Sequence, residues 1–115
     1  MPAPLVSCIL PTHNRRRFLA QALRCFQHQT WTRKELIVAD DSDRASPSLF
    51  AGLPGIRYLR FPHRTNLGLK VNFAIETARG EIIQRLDDDD YYGPGFLRHS
   101  VQALRAASAP NALVT

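Results

Sequence analysis

The sequence predicts a three-layer α/β/α domain on a mostly parallel sheet, for two reasons. Short apolar runs of strand length alternate with helical stripes along the chain. Two of those runs, Glu35–Ala39 and Glu81–Leu86, end abruptly in acidic loops, which places carboxylates at the carboxyl ends of strands. With 44% hydrophobic and 22% charged residues, the chain has the makeup of one folded core rather than of a disordered segment. A single domain, 1–115, is expected, short for an enzyme that holds two substrates and therefore read as part of a larger one.

The first strand is Leu5–Leu10, a buried apolar run stopped at Pro11. Asn14 can then cap a helix with Phe18, Leu19, Ala22, Leu23 and Phe26 on one face, ending near Gln29. Glu35–Ala39 is the second strand and runs into Asp40-Asp41-Ser42-Asp43. The stretch Arg44 to Gly55, broken by Pro47, Gly52 and Pro54, has room for a short helix around Ser48 to Ala51. Ile56–Phe61 carries two arginines and reads as an edge strand. Val71, Ala74, Ile75 and Ala78 form the next helical stripe, with Gly80 placed as its cap. Glu81–Leu86 is a strand leading into Asp87-Asp88-Asp89-Asp90. Pro94 opens a helix through Leu97, Val101 and Leu104, and Ala112–Val114 begins another strand.

In such sheets ligands bind beyond the carboxyl ends of the strands. Three polar clusters are therefore expected on one rim: Pro11 to Asn14, Asp40 to Asp43, and Asp87 to Asp90. The net charge of +5 favours anionic partners, namely nucleotides, nucleic acid or an anionic membrane surface. Against that background four adjacent aspartates need a cation to answer their repulsion. Asp87 and Asp89 have the Asp-x-Asp spacing that lets alternate carboxylates offer hard oxygens to Mg²⁺ or Mn²⁺; the plain alternative is a solvated acidic turn.

Asp40-Asp41 has three readings: acceptors for a nucleobase or ribose, a receiver-type phosphorylation pocket, or a solvated turn. The receiver reading needs its acidic pair after the first strand, where Pro11-Thr12-His13-Asn14 has no carboxylate. Arg15-Arg16-Arg17 oppose the dipole of the helix they begin, so either an anion lies nearby or they fan into solvent.

His13 and His63 stand beside candidate loops without metal-ligand spacing, and His28 and His99 fall on helical surfaces. Trp31 and Tyr91-Tyr92 read as packing groups, because basic residues are not interleaved with aromatics as in a nucleic-acid groove. Cys8 and Cys25 read as reduced core residues, which favours a cytoplasmic setting. Nowhere do 18 apolar residues run together, so no membrane span is expected.

In this order the clusters resemble a known family. Val6-Ser7-Cys8-Ile9-Leu10-Pro11-Thr12-His13-Asn14-Arg15, then Gln29-Thr30-Trp31, then Glu35 to Ser42, is similar to the opening of family 2 glycosyltransferases with the GT-A fold. Asn66-Leu67-Gly68, Ala78-Arg79-Gly80-Glu81 and Leu86 to Asp90 followed by Pro94 continue the match over nearly the whole chain. The resemblance implies the Rossmann-like nucleotide-binding half of that fold. It implies that Pro11, Thr12, Asn14, Arg15, Asp40, Asp41 and Lys70 surround the nucleotide of a nucleotide-diphospho-sugar, with UDP favoured. It further implies that Asp87 and Asp88 face the donor sugar and diphosphate, and that Asp87 and Asp89 bind the metal, Asp89 foremost.

The implied reaction is inverting transfer to a saccharide or lipid-linked acceptor, at the cytoplasmic face of the membrane in the full-length protein. Nucleic acid is not an expected partner. The general base and acceptor site are expected beyond Thr115. Where the family has Asp-Asp-Gly-Ser or Asp-Asp-Asn-Ser, this chain has Asp40-Asp41-Ser42-Asp43, so an altered turn is expected at Ser42. The rival class is a non-catalytic nucleotide- or Ca²⁺-binding α/β module.

Overall fold

The computed structural model describes residues 3–107 and 113–114. Its elements are β1 (Val6–Thr12), α1 (Arg16–Gln27), β2 (Lys34–Asp40), a 3-10 turn (Pro47–Leu49), β3 (Ile56–Arg60), α2 (Leu67–Thr77), β4 (Ile82–Arg85), α3 (Phe96–Ala106) and β5 (Leu113–Val114). The sheet is parallel throughout, in the order β3-β2-β1-β4-β5. As expected, the third strand lies at an edge.

Side-chain alternation along β1 and β2 divides the core. Val6, Cys8, Leu10, Leu36 and Val38 face Leu19, Ala22 and Phe26 of α1 and Leu97 and Val101 of α3. Ile9, Ile37 and Ala39 point the other way, onto Ala74 of α2. Helices on both faces bury all seven positions of β1, which is why that strand reads as a continuous apolar run. Trp31 packs as expected, 8% exposed, and its indole N–H donates to the Pro4 carbonyl at 3.1 Å.

Several boundaries differ from expectation. Pro11 does not end β1; it pairs in register with Ala39. The Ile9 carbonyl accepts from Leu86 N–H on the β4 side, so the imide nitrogen of Pro11, two residues on, faces that same side, where the β4 ladder has already stopped at Arg85. No ladder bond is lost. α1 ends at Gln27 and its cap is Arg15, because Asn14 turns away in the left-handed region at φ 53°. Gly80 is not a helix cap: α2 ends at Thr77 with Ala78 as its cap, and the glycine instead abuts β1. The 3-10 turn replaces the short helix at Ser48 to Ala51, and α3 begins at Phe96, two residues after Pro94. Ala112 lies outside the described residues.

From β1 the chain winds outward through β2 to β3, and α2 then carries it back to β4 on the other side of β1. The winding direction reverses between β1 and β4, which opens a crevice at their carboxyl ends. Register decides what meets there. Thr12 is level with Asp40, and continuing the Ile9–Arg85 pairing by three residues brings Thr12 beside Asp88.

Candidate functional site

Asp41 is the hub of the rim. It follows β2 directly, is 4% exposed, and spends both oxygens on three donors. Oδ1 accepts from Lys70 Nζ at 2.9 Å and from His13 Nδ1 at 2.9 Å, and Oδ2 accepts from Thr65 N–H at 2.6 Å. Its own N–H donates to the Thr12 carbonyl at 3.4 Å, and Lys70 Nζ reaches the same carbonyl at 3.0 Å. Lys70 is brought there by the N-terminal end of α2, where the Asn66 side chain caps Leu69 N–H at 3.3 Å. Burial pushes the Asp41 carboxyl up, but the Thr65 N–H, Lys70 and His13 overcome it and hold the group down at about 2. His13, Asp41, Arg64, Thr65, Asn66, Leu67 and Lys70 line an open cavity of about 280 Å³.

Asp40 departs from the sequence expectation. It is fully buried below the rim, with Oδ1 accepting from Ser42 N–H at 2.8 Å and from the Ser42 hydroxyl, and Oδ2 from the Tyr58 hydroxyl at 2.5 Å. It shapes the turn and is closed to a nucleotide. Ser42, at the glycine position of the family turn, needs no positive φ. Its hydroxyl also accepts from Asn14 N–H at 2.7 Å, fastening the β1 loop to the β2 loop. Asn14 completes that seam by accepting from Asp43 N–H at 2.9 Å and donating to Asp43 Oδ2 at 3.1 Å.

The acidic quartet splits by burial. Asp88 is 7% exposed and accepts from Thr12 Oγ1 at 2.8 Å, whereas Asp87, Asp89 and Asp90 are exposed. Arg15 supplies the positive charge, reaching Asp89 Oδ2 at 3.0 Å and Asp88 Oδ1 at 3.4 Å. Asp87 N–H donates to the Tyr92 hydroxyl at 2.7 Å, which props the loop from below. Arg16 and Arg17 do fan outward, Arg17 lying over the Phe18 ring. Gln29 secures the exit of the loop: its amide N–H groups bond the Cys25 and Gly93 carbonyls, and its oxygen accepts from Leu97 N–H at 2.9 Å. Tyr92 packs on Phe96 as expected, but Tyr91 is 73% exposed rather than packed.

The structure thus gathers Thr12, Arg15, Asp41, Lys70 and Asp88 into one hydrogen-bonded rim, with Asn14 beside it, Asp87 and Asp89 above it and Asp40 beneath. Pro11 contributes through β1 itself. Sequence reasoning assigned no site role to Thr65 or Tyr58, gave Tyr92 only a packing role, and did not foresee the bonds that His13 and Gln29 make. Thr65 acts through its backbone N–H, which leaves no trace in a residue pattern. His13 stood next to a candidate loop, yet nothing in spacing pointed to its partner 28 residues away.

The glycosyl transferase family 2 model matches residues 7–114. The chain belongs to that family. Its relatives include an uncharacterised glycosyltransferase of Rickettsia bellii, 28% identical over 96% of this chain and 16% of that protein. Another is WcaA of Escherichia coli K12, named as a candidate colanic acid biosynthesis glycosyl transferase, 30% identical over 90% of this chain and 40% of that protein. The chain therefore spans less than half of these family 2 relatives. Two solved structures share the fold: Staphylococcus aureus TarS, with a TM-score of 0.78 at 21% identity over 89% of this chain and 32% of that one, and the Pyrobaculum calidifontis mannosyltransferase PcManGT, with a TM-score of 0.80 at 24% identity over 90% and 33%.

The donor set of this family 2 chain suits a divalent cation. Asp87 and Asp89 are exposed at a strand end and are hard oxygen donors, while buried Asp88 is already engaged by Thr12 and cannot turn outward without breaking that bond. Among the described residues no cluster of three or more His, Cys, Asp or Glu forms a full cage. Two carboxylates leave most of the coordination shell to phosphate and water, the usual arrangement for Mg²⁺ or Mn²⁺.

The depressed Asp41 carboxyl makes an acid-range prediction. Its folded pKa lies below its ordinary value of 3.8, so its contribution to stability is complete above about pH 4 and is lost as pH falls toward 2. Chemical unfolding measured from pH 5 to pH 2 should show a steeper loss for wild type than for Asp41→Asn. Parallel curves would remove Asp41 as the source of the effect.

Proposed function

We propose that this chain is the donor-binding part of an inverting glycosyltransferase, which moves a sugar from a nucleotide-diphospho-sugar to an acceptor hydroxyl with the help of Mn²⁺ or Mg²⁺. The Thr12–Asp88 hydrogen bond carries the reading. It ties the Asp41 cavity, which suits a nucleobase and ribose, to the loop whose Asp87 and Asp89 suit a metal diphosphate.

In this reading Asp41, ionised at neutral pH, lies in the wall of the cavity and fixes Lys70, His13 and the Thr65 backbone around the nucleotide. Pro11 and Asn14 form the wall against the nucleotide, and Arg15 faces the diphosphate. Asp87 and Asp89 hold the cation, and Asp88 orients the loop toward the donor sugar. A divalent cation bound there would stabilise the charge that develops on the leaving diphosphate. The bond between the anomeric carbon and the diphosphate oxygen breaks with its electron pair leaving on the nucleoside diphosphate. The acceptor oxygen forms the new bond from the opposite face and gives its proton to a carboxylate. We assign that carboxylate, and the acceptor site, to the portion of family members that this chain does not span.

TarS has been solved with UDP and with UDP-GlcNAc, which supports a uridine-type donor here; PcManGT, solved with GDP-Man and Mn²⁺, makes a guanosine donor the competing outcome. A saccharide or lipid-linked acceptor in polysaccharide assembly agrees with the colanic acid role named for WcaA. Cys8 and Cys25 are free and buried, which supports a cytoplasmic setting. No described helix is long and apolar enough to cross a membrane.

Thermal shift tests the reading. UDP with Mn²⁺, each well above its dissociation constant, should stabilise the chain by about 2.7 kcal/mol at a hundredfold excess. Asp89→Asn should abolish the Mn²⁺-dependent part of that gain. Stabilisation by Ca²⁺ alone, indifferent to either nucleoside diphosphate, would replace this function with the binding-module alternative.

A further inference from the structure

Arg15 sits where the cation and the diphosphate would meet. Its guanidinium lies 3.0 Å from Asp89 and 3.4 Å from Asp88, and both Arg15 and Asp89 are 49% exposed. Asp88 cannot follow the arginine outward, because Thr12 Oγ1 holds its other oxygen at 2.8 Å. Arg15 itself is the cap residue of α1, so its backbone is fixed by the helix while its side chain, half-exposed, reaches the acidic loop. A phosphate bound in the crevice would offer this side chain a second anionic partner beside the acidic loop.

We infer that Arg15 is an internal counter-cation of the acidic loop, which must be released from Asp89 before a divalent cation can bind and which then transfers its charge to the donor diphosphate. This deepens the proposed function and rests on it. Arg15 competes with the metal when the metal comes alone, because two positive charges crowd the same carboxylate. With a nucleoside diphosphate present, the displaced guanidinium gains a bidentate phosphate partner, so the competition is offset. Metal and nucleotide then bind with positive coupling, and the coupling resides in one side chain.

The half-exposed pair limits the size of the competition, so its removal should tighten binding of Mn²⁺ alone by about two- to fivefold. The experiment is a titration of the 115-residue chain with Mn²⁺, followed by electron paramagnetic resonance, without and with UDP or GDP, comparing wild type with Arg15→Gln, Arg15→Lys and Arg16→Gln. Arg15→Gln should bind Mn²⁺ alone more tightly, bind the nucleoside diphosphate more weakly in saturating Mn²⁺, and lose most of the coupling. Arg15→Lys, which keeps the charge, should stay near wild type for Mn²⁺ alone. Arg16 is exposed on the same turn and controls for loss of one positive charge in general.

An unchanged or weaker affinity for Mn²⁺ alone in Arg15→Gln overturns the inference, as does an equal gain in Arg16→Gln. If neither wild type nor Arg15→Gln binds Mn²⁺, the inference falls together with the metal part of the proposed function. Protection of the Asp41 cavity by UDP without metal would then show that nucleotide binding survives on its own. If Mn²⁺ binding tightens as stated but no nucleoside diphosphate binds, the donor reading fails while the counter-cation role of Arg15 stands for the metal alone.

Discussion

Replacing Lys70 with methionine is expected to destabilise the chain by about 3 kcal/mol and to weaken nucleoside diphosphate binding at least tenfold. The ammonium and the Asp41 carboxylate form a buried pair, with side chains 6% and 1% exposed. Removing one member of such a pair strands the other charge, which costs about 3 to 5 kcal/mol. The lower end applies because Thr65 N–H and His13 still hold Asp41. Methionine matches the length of the lysine stem, so little volume is lost at this buried position of α2, and the deficit reports charge rather than packing. Urea unfolding measures the stability and calorimetry with UDP and Mn²⁺ measures the binding. The double variant Lys70→Met/Asp41→Asn should recover part of the stability, since neither charge is then left alone, yet recover none of the binding. Wild-type stability in Lys70→Met would show that Asp41 is held without the lysine.

The sequence made the layers legible because β1 and β2 are covered on both faces, so the middle of each run, Cys8 to Leu10 and Leu36 to Ala39, is apolar throughout, and because α1 carries a regular stripe at Leu19, Ala22 and Phe26. It made the rim legible because Asp41 follows β2 directly and the quartet follows β4 after the single residue Leu86. What it concealed were decisions made by geometry rather than by residue type. Asp40 and Asp41 are chemically identical neighbours, yet one faces Tyr58 in the interior and the other faces Lys70 and the cavity; strand alternation, not composition, separates them. Asp88 is separated from Asp87 and Asp89 by the turn that follows β4, in which Thr12 holds Asp88 inward. Asn14 had the right side chain for a helix cap, and tertiary bonding to Asp43 redirected it. Pro11 looked like a strand end because a central strand ordinarily forbids proline, and here β4 stops early enough to permit it.

At the opposite end of the sheet, Gly80→Ala is expected to lower stability by about 3 kcal/mol, roughly 15 °C in melting temperature for a domain of this size. The glycine is not required for its φ. A Cβ there would lie 2.6 Å from the Leu5 carbonyl oxygen and 2.8 Å from Ser7 N, and would collide with the Ser7 hydroxyl. Two of those neighbours are backbone atoms at the start of the central strand, Leu5 just before it and Ser7 within it, and cannot step aside. The hydroxyl is no freer, since it accepts from Gly80 N–H at 2.8 Å and donates to Glu35 Oε2 at 2.5 Å, while Glu35 also accepts from Arg79 N–H at 2.7 Å and from Arg57 at 2.6 Å. Pushing the 79–81 segment away from β1 would therefore break a buried network as well as the Glu81 N–H bond to Leu5. Gly52 supplies the contrast: it has φ +75° with open space around it, so Gly52→Ala should cost only about 1 kcal/mol, all of it conformational. Thermal unfolding of the two variants separates crowding from backbone strain. Because Gly80 lies at the far end of β1 from Thr12, the folded fraction of Gly80→Ala, assayed well below its melting temperature, should keep wild-type affinity for UDP with Mn²⁺. Equal stability losses in the two variants would falsify the packing account.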